Sequence, residues 1–492
     1  MKIKILFTHF LKAIVITAML PALFSCQKDE TTEVPDEEEF NDTINYISIN
    51  DPEDAIQRIR FLYEYVIVRW GFYWHIPNVQ SGQTTDMDAE FAVFQNFQHD
   101  PSTTVVERTW EGCYGAINLS NQYLNEVSGN PDIDAAKNIY KGQVYFYRAL
   151  SYFTLVRLYG RFYPDKDLTA LGVPIISGNS FSDIQRATVQ EVYNYIINDL
   201  DSAASLLPEP SGEGETSKYA AMALAAHAHM WFQQYDEAEL LLNNIIQSGK
   251  FSLLENYSYN FDGDHENSDE SIFEFQFYWD GRFFYSKSSD EDYKPAQMYT
   301  EMIMAEYGGD ASRRFKLTDD AVDILGNDPR AEETYYKKND IMYYESSTII
   351  NIGGYANVKK YAHVQQPESS SEYGNNLILY RLADIYLLYS ELQLLKNNKD
   401  KAIEYMNMVR ERAGVNLITG NSLSSAQLMD TLRLDRYKEL CTEGSYWYDL
   451  IRWDKAEEKL AYRGFIKGIH EVLPIPENIC EINGGIVQNA GY

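Results

Sequence analysis

Two stretches far apart in the chain follow one plan. Residues 217–249, SKYAAMALAAHAHMWFQQYDEAELLLNNIIQSG, and residues 377–414, LILYRLADIYLLYSELQLLKNNKDKAIEYMNMVRERAG, share it. Each is an Ala/Leu-rich helix, a polar turn, an Asp-x-Ala helix start, and a second helix ending near glycine. A helical pair of this kind cannot bury its own apolar face, so it exists only stacked on further helices. That requirement makes the chain mostly α-helical.

Other segments supply the partners. Asp51-Pro52-Glu53 opens a helix over 51–69, with proline at the first turn. Residues 104–127 place Trp110, Tyr114, Ile117 and Leu124 at helical spacing, and 134–159 is apolar on nearly all sides, as in a buried helix. Thr188-Val189-Gln190-Glu191 reads as a capping box. Each hairpin resembles a tetratricopeptide (TPR) unit. Between them, about 251–375, the chain is rich in Gly, Ser, Asp and Tyr with short alternating runs such as Ile272-Phe273-Glu274-Phe275-Gln276-Phe277, which fits short strands and long loops. Loops on a rigid scaffold are where binding residues concentrate.

The start of the chain concerns location. Lys2, Lys4 and Lys12 precede an uncharged apolar run over 13–24 that is too short to span a membrane. It ends in Leu23-Phe24-Ser25-Cys26, which resembles a bacterial lipobox. The reading is a signal peptide over 1–25, a lipidated Cys26, and an acidic, self-repelling tether over 26–40. The Lys28-Asp29-Glu30 run behind the cysteine resembles a surface-export signal of Bacteroidetes lipoproteins. A formal charge of −31 disfavours nucleic acid, whose binding needs Lys and Arg on phosphates. Cys113, Cys441 and Cys480 form no paired spacing, so small buried side chains are expected rather than a disulfide framework.

The resemblance to a family rests on a series of motifs: YFYRALSYFTLVRLYGRFYP (145–164) with Gly172-Val173-Pro174, RATVQEVYNYIINDL (186–200), DESIFEFQF (269–277), YRLADIYLLYSE (380–391), NMVRERAG (407–414), ELCTEGSYWYDLIRW (439–453) and LPIPENICEINGGIVQNAGY (473–492). In order and spacing the chain resembles the SusD/RagB family of Bacteroidetes nutrient-binding lipoproteins. The resemblance implies a SusD-like domain over 41–492, with four TPR-like hairpins within about 134–249 and 377–458 and a loop-rich ligand-binding region over about 251–375. It implies an outer-membrane protein, anchored by lipid alone and facing outward. Its partner would be a SusC-like TonB-dependent transporter, its cargo a glycan oligomer, and it would catalyse no reaction. One departure is Tyr446, where family members usually carry arginine two residues after the glycine of the Glu-Gly motif.

Sugars offer apolar ring faces and a rim of hydroxyls, so a site needs aromatic platforms beside a few polar groups. Two clusters qualify. In the first, Gly71 is read as ending the helix, so that Tyr73 and Trp74 stand in a polar loop with Asp86 and Asp88 downstream, although Trp70 continues the helix's apolar face. Its position matches where family members often place ligand contacts. In the second, Trp279, Arg282 and Tyr285 follow the 271–277 strand. His227 and His229, two apart on a helix, face different sides and do not make a zinc pair. Asp262, Asp264 and Glu266 alternate as in a calcium loop but lack its glycine, so no cofactor is expected and a structural calcium has no support. Three alternatives stay open: a peptide cargo, a glycoside hydrolase using two of the many acids, and a protein-interaction scaffold.

Overall fold

A computed structural model of the chain describes residues 49, 52–86, 89–127, 137–176, 185–210, 216–276, 315–344, 347–350, 356, 358–361, 376–419, 423–482 and 486–492. The leader and tether expected over 1–40, Cys26 included, lie outside the described residues.

The first half is a helical stack. Helix α1 (Pro52–Gln80) leads through strand β1 (Thr84–Asp86) and helix α2 (Ala89–Gln95) to α3 (Thr104–Val127), α4 (Lys137–Tyr159) and α5 (Val189–Leu206). α4 packs against α3, α5 and α1. It is therefore apolar all round, with Val144, Phe146, Leu150, Tyr152, Leu155 and Val156 at 0–1% exposure. Each such side chain contributes about 1.5–3 kcal/mol by leaving water. Among the polar groups buried with them, Tyr159 donates to the Val106 carbonyl at 2.7 Å, and Arg148 grips Asp199 through Nε (2.8 Å) and Nη2 (2.7 Å) while Nη1 reaches Asn121. α5 opens with the expected capping box, in which Thr188 Oγ1 accepts from Glu191 N and the Glu191 carboxylate accepts from Thr188 N.

Helices α6 (Lys218–Trp231) and α7 (Tyr235–Gln247) form one of the two expected hairpins, and α8 (Leu382–Leu395) and α9 (Lys399–Arg412) the other. Their turns coincide bond for bond. In the first, Phe232, Gln233 and Gln234 donate to Ala228, Met230 and His229; in the second, Lys396, Asn397 and Asn398 donate to Leu392, Leu394 and Gln393. The middle residues, Gln233 (φ 61°) and Asn397 (φ 60°), are left-handed, which makes both turns Schellman motifs. α7 packs on α8, joined by Gln393 to Glu239 (2.6 Å) and by Lys396 to Asp236 and Glu239. α10 (Ser425–Glu439) closes over α8 and α9, with Ala383, Leu387, Ala402, Met406, Leu428 and Leu432 buried between them. α11 (Tyr446–Arg452) follows, and the next turn, at 453–455, repeats the same bond pattern.

The strands are short antiparallel pairs. β1 pairs with β3 (Phe315–Leu317), β4 (Ile341–Tyr344) with β5 (Ser347–Ile350), and β2 (Ser271–Phe275) with β6 (Leu377–Arg381) in a register that aligns Phe275 with Leu377. The β2–β6 ribbon is fixed to the helices by buried charge. Arg381 at the end of β6 reaches Glu270, Glu439 and Glu443; Arg412 of α9 reaches Glu270 and Glu439; Arg330 reaches Asp328 and Glu439; Lys360 reaches Glu443. Four buried cations thus meet four carboxylates. Burial alone would raise the Glu439 carboxyl, but Arg412, Arg381 and Arg330 outweigh it and hold the group well below the usual carboxylate range.

Candidate functional site

The first aromatic cluster is not in a loop. α1 runs on through Gly71 and Pro77 to Gln80, because its last turns have a surface to pack against. Tyr73 and Trp74 are 6% and 5% exposed. The segment docks on the turn after α10: Asn78 Nδ2 donates to the Trp74 carbonyl at 2.9 Å and to the Thr442 carbonyl at 3.3 Å, and Gly444 N donates to Asn78 Oδ1 at 3.2 Å. Gly444 has φ +79°, and a Cβ there would stand 3.2 Å from Trp74 Cδ1, so the Glu-Gly turn needs glycine for conformation and for space. Asp86 is 3% exposed and bonds His75 Nε2, whose ring meets Phe91 edge-on at 4.4 Å. As packed, Tyr73, Trp74 and Asp86 present no face to solvent. Asp88, Trp279, Arg282 and Tyr285 lie outside the described residues.

Other expected features are placed as follows. Cys113 and Cys441 are buried free thiols, pushed up to about 12 by burial, and Cys480 is free and half-buried. His227 lies 2.8 Å from Asp384 and His229 bonds the Tyr193 hydroxyl at 2.9 Å, on opposite sides of α6. Asp262 caps its own turn by accepting from Asp264 N, His265 N and His265 Nδ1. Among the described residues no group of three His, Cys, Asp or Glu side chains could hold a metal. Tyr446, the departure from the family pattern, packs its ring edge-on to Tyr437 at 4.6 Å.

A cavity of about 210 Å³, counted with its mouth, opens at the end of the β2–β6 ribbon. Its lining includes Tyr259, Asn260, His265, Glu266, Glu274 and Asn376. β2 alternates here: Phe273 and Phe275 point into the helical core, while Glu274 and Gln276 turn to a polar network. Glu274 Oε2 accepts from Asn267 N and from Asn376 Nδ2, both at 3.0 Å, and Gln276 pairs amide to amide with Asn267 at 2.8 Å. Asn376 N donates to Glu266 Oε1 at 2.7 Å. Burial raises Glu266 to about 7 and raises Glu274 as well. Tyr259 and His265 stack at 4.2 Å on the rim. Sequence reasoning noticed Glu266 only as a calcium candidate and passed over Asn260, Glu274 and Asn376. The polar members of the Phe-Glu-Phe-Gln alternation were the available signal. The cavity stands where the chain enters the segment holding Trp279, three residues beyond Gln276.

Comparison with known proteins extends over most of the chain. Residues 254–492 match the model of the SusD family, and residues 74–230 match a second family model described as starch-binding, associating with outer membrane. A SusD-like protein, P38, from Formosa agariphila is 26% identical over 424 residues, covering 79% of this chain and 80% of that one. A SusD superfamily protein from Bacteroides vulgatus superposes with a TM-score of 0.73 at 21% identity, covering 90% of this chain and 99% of that one. A laminarin-binding SusD-like protein superposes with a TM-score of 0.69 at 21% identity, covering 89% and 99%. No helix among the described residues is long and apolar enough to cross a membrane.

Proposed function

Because the chain belongs to the SusD/RagB family, we propose that it is a surface lipoprotein that captures a glycan oligomer and delivers it, unchanged, to a SusC-like TonB-dependent outer-membrane transporter. The observation that carries this reading is the match of residues 74–230 to a starch-binding, outer-membrane-associated family, continued by the SusD family match over 254–492. The shared fold of the laminarin-binding relative supports it. The anchor is Cys26, and the protein faces outward.

The sugar platform in this reading is the cluster Trp279, Arg282 and Tyr285. In the chain it follows strand β2, whose ribbon with β6 is tied to the helices through the buried ion pairs of Arg381. Flat rings bring a large contact area to a sugar at little cost in side-chain freedom. Tyr73, Trp74 and Asp86 belong, in this reading, to the buried scaffold.

Native affinity electrophoresis of the protein lacking residues 1–26, through neutral and acidic polysaccharides, tests the proposal. Retardation by at least one polymer is expected, lost in Trp279→Ala, with no sugar product released on long incubation. No retardation by any polymer would overturn glycan capture, and product release would overturn the non-catalytic reading.

A further inference from the structure

Aromatic side chains in this molecule are drawn inward, with one exception. Tyr462 is 73% exposed, whereas every other Phe, Tyr and Trp whose burial is described is buried or partly buried. A ring left in water forgoes the gain that burial gives the others. Exposure alone would mean little, since single apolar side chains are common on surfaces. Tyr462 differs in being held at both ends. It sits in a single 3-10 turn, Ala461–Arg463, closed by Gly464 at φ +101°, where a Cβ would stand 3.1 Å from the Asn96 carbonyl oxygen. The next side chain, Arg463, donates to the Val79 carbonyl at 3.1 Å and to the Gln80 carbonyl at 3.4 Å, at the end of α1.

A different element fixes the tip of the ring. The Tyr462 hydroxyl donates to Asp320 Oδ2 at 2.7 Å, on the short helix Asp319–Leu325. That helix is bonded to the same end of α1, because Thr318 N donates to the Gln83 carbonyl at 3.0 Å and Thr318 Oγ1 to the Gly82 carbonyl at 2.7 Å. Backbone and hydroxyl of Tyr462 are thus both tied to α1 while most of its surface stays in water. Asp320 is itself exposed, and Ile324, 40% exposed, lies one turn further on the same side of its helix. A pyranose needs a ring for its C–H face and an acceptor for its hydroxyls. Tyr462 and Asp320 supply both, and a ring fixed beforehand loses little freedom when a ligand stacks on it.

We propose that Tyr462 and Asp320 form a sugar-contact site, additional to the Trp279 cluster, that takes one neutral pyranose unit of the captured glycan. The inference rests on the reading of this protein as a glycan-capturing one. The carboxylate at the ring's edge disfavours a uronic acid, whose charge it would repel.

Two measurements on the protein lacking residues 1–26 test it, both with the polysaccharide that retards the wild type. In affinity electrophoresis Tyr462→Ala should weaken retardation about three- to tenfold, with an unchanged melting profile, and Tyr462→Phe, which keeps the ring, should weaken it less. In hydroxyl-radical footprinting read by mass spectrometry, the polymer should protect Tyr462 from oxidation in the wild-type protein. If Tyr462→Ala melts lower than wild type, the footprint decides. Equal oxidation of Tyr462 with and without a polymer that does retard the protein would overturn this inference and leave glycan capture standing. Protection by acidic polymers alone would overturn the neutral assignment. Failure of every polymer to retard the wild type would overturn glycan capture itself, and this site with it.

Discussion

Trp74 shows how a residue type that serves well in sugar binding is used differently once its neighbours arrive. Its indole lies against Gly444, and its carbonyl is held by Asn78, which also holds the 442–444 turn. Deleting it would leave a void between α1 and the Glu-Gly turn. Trp74→Ala should therefore cost about 3–5 kcal/mol of stability, read as a lower denaturant midpoint. Trp279→Ala should leave the midpoint unchanged and remove only polysaccharide retardation. If Trp74→Ala melted like wild type and lost binding, the assignment of Trp74 to the scaffold would fail. At this scale the sequence was ambiguous for a simple reason. Aromatic rings suit cores and sugar platforms equally, and exposure depends on residues some 370 positions away in the chain.

At the scale of elements, hairpins were the legible part. The Asp-x-Ala starts, the polar turns and the capping box at Thr188 are local chemistry, decided within a few residues by hydrogen bonds the backbone must make. The stop at Gly71 was misread for the converse reason. Glycine costs a helix only about 1 kcal/mol, which the packing of α1 against α3 and α4 offsets. The charged knot that locks the ribbon to the helices was invisible, since Glu270, Arg330, Lys360, Arg381, Arg412 and the pair Glu439 and Glu443 come from six places in the chain. Its energetics follow from mutual dependence. Glu439→Gln leaves Arg330, Arg381 and Arg412 short of a buried counter-charge and should cost about 3–5 kcal/mol. Chemical denaturation of the variant checks this, and a cost under about 1 kcal/mol would mean that the knot is not the clamp described.

Across the whole molecule, buried acids and histidines pull stability in opposite directions with pH. Burial pushes His99 down to about 3 and His229 to about 4. Their unfolded forms take up protons first as pH falls below about 6.5, so stability is lost from there down to the folded values. Burial raises Glu64, partly offset by Arg60, from 4.5 to about 7. A carboxyl with a raised folded pKa favours the fold while protonated, and that contribution is lost as pH rises from about 4.5 through 7. Glu64→Gln should thus be more stable than wild type at pH 8, by on the order of 1 kcal/mol, and show no such gain at pH 4. Melting profiles at the two pH values read this directly, and an equal effect at both would refute the burial of a titrating Glu64.

The sequence by itself determined the helical class, the hairpins and their turns, the capping box and the family, because these rest on short-range periodicity and on motifs contiguous in the chain. Only the tertiary structure decided that Tyr73, Trp74 and Asp86 lie inside, that α1 passes through Gly71, and that Glu266, Glu274 and Asn260 line one cavity. Burial and charge balance are sums over neighbours from distant parts of the chain, and no local pattern encodes which neighbours those will be.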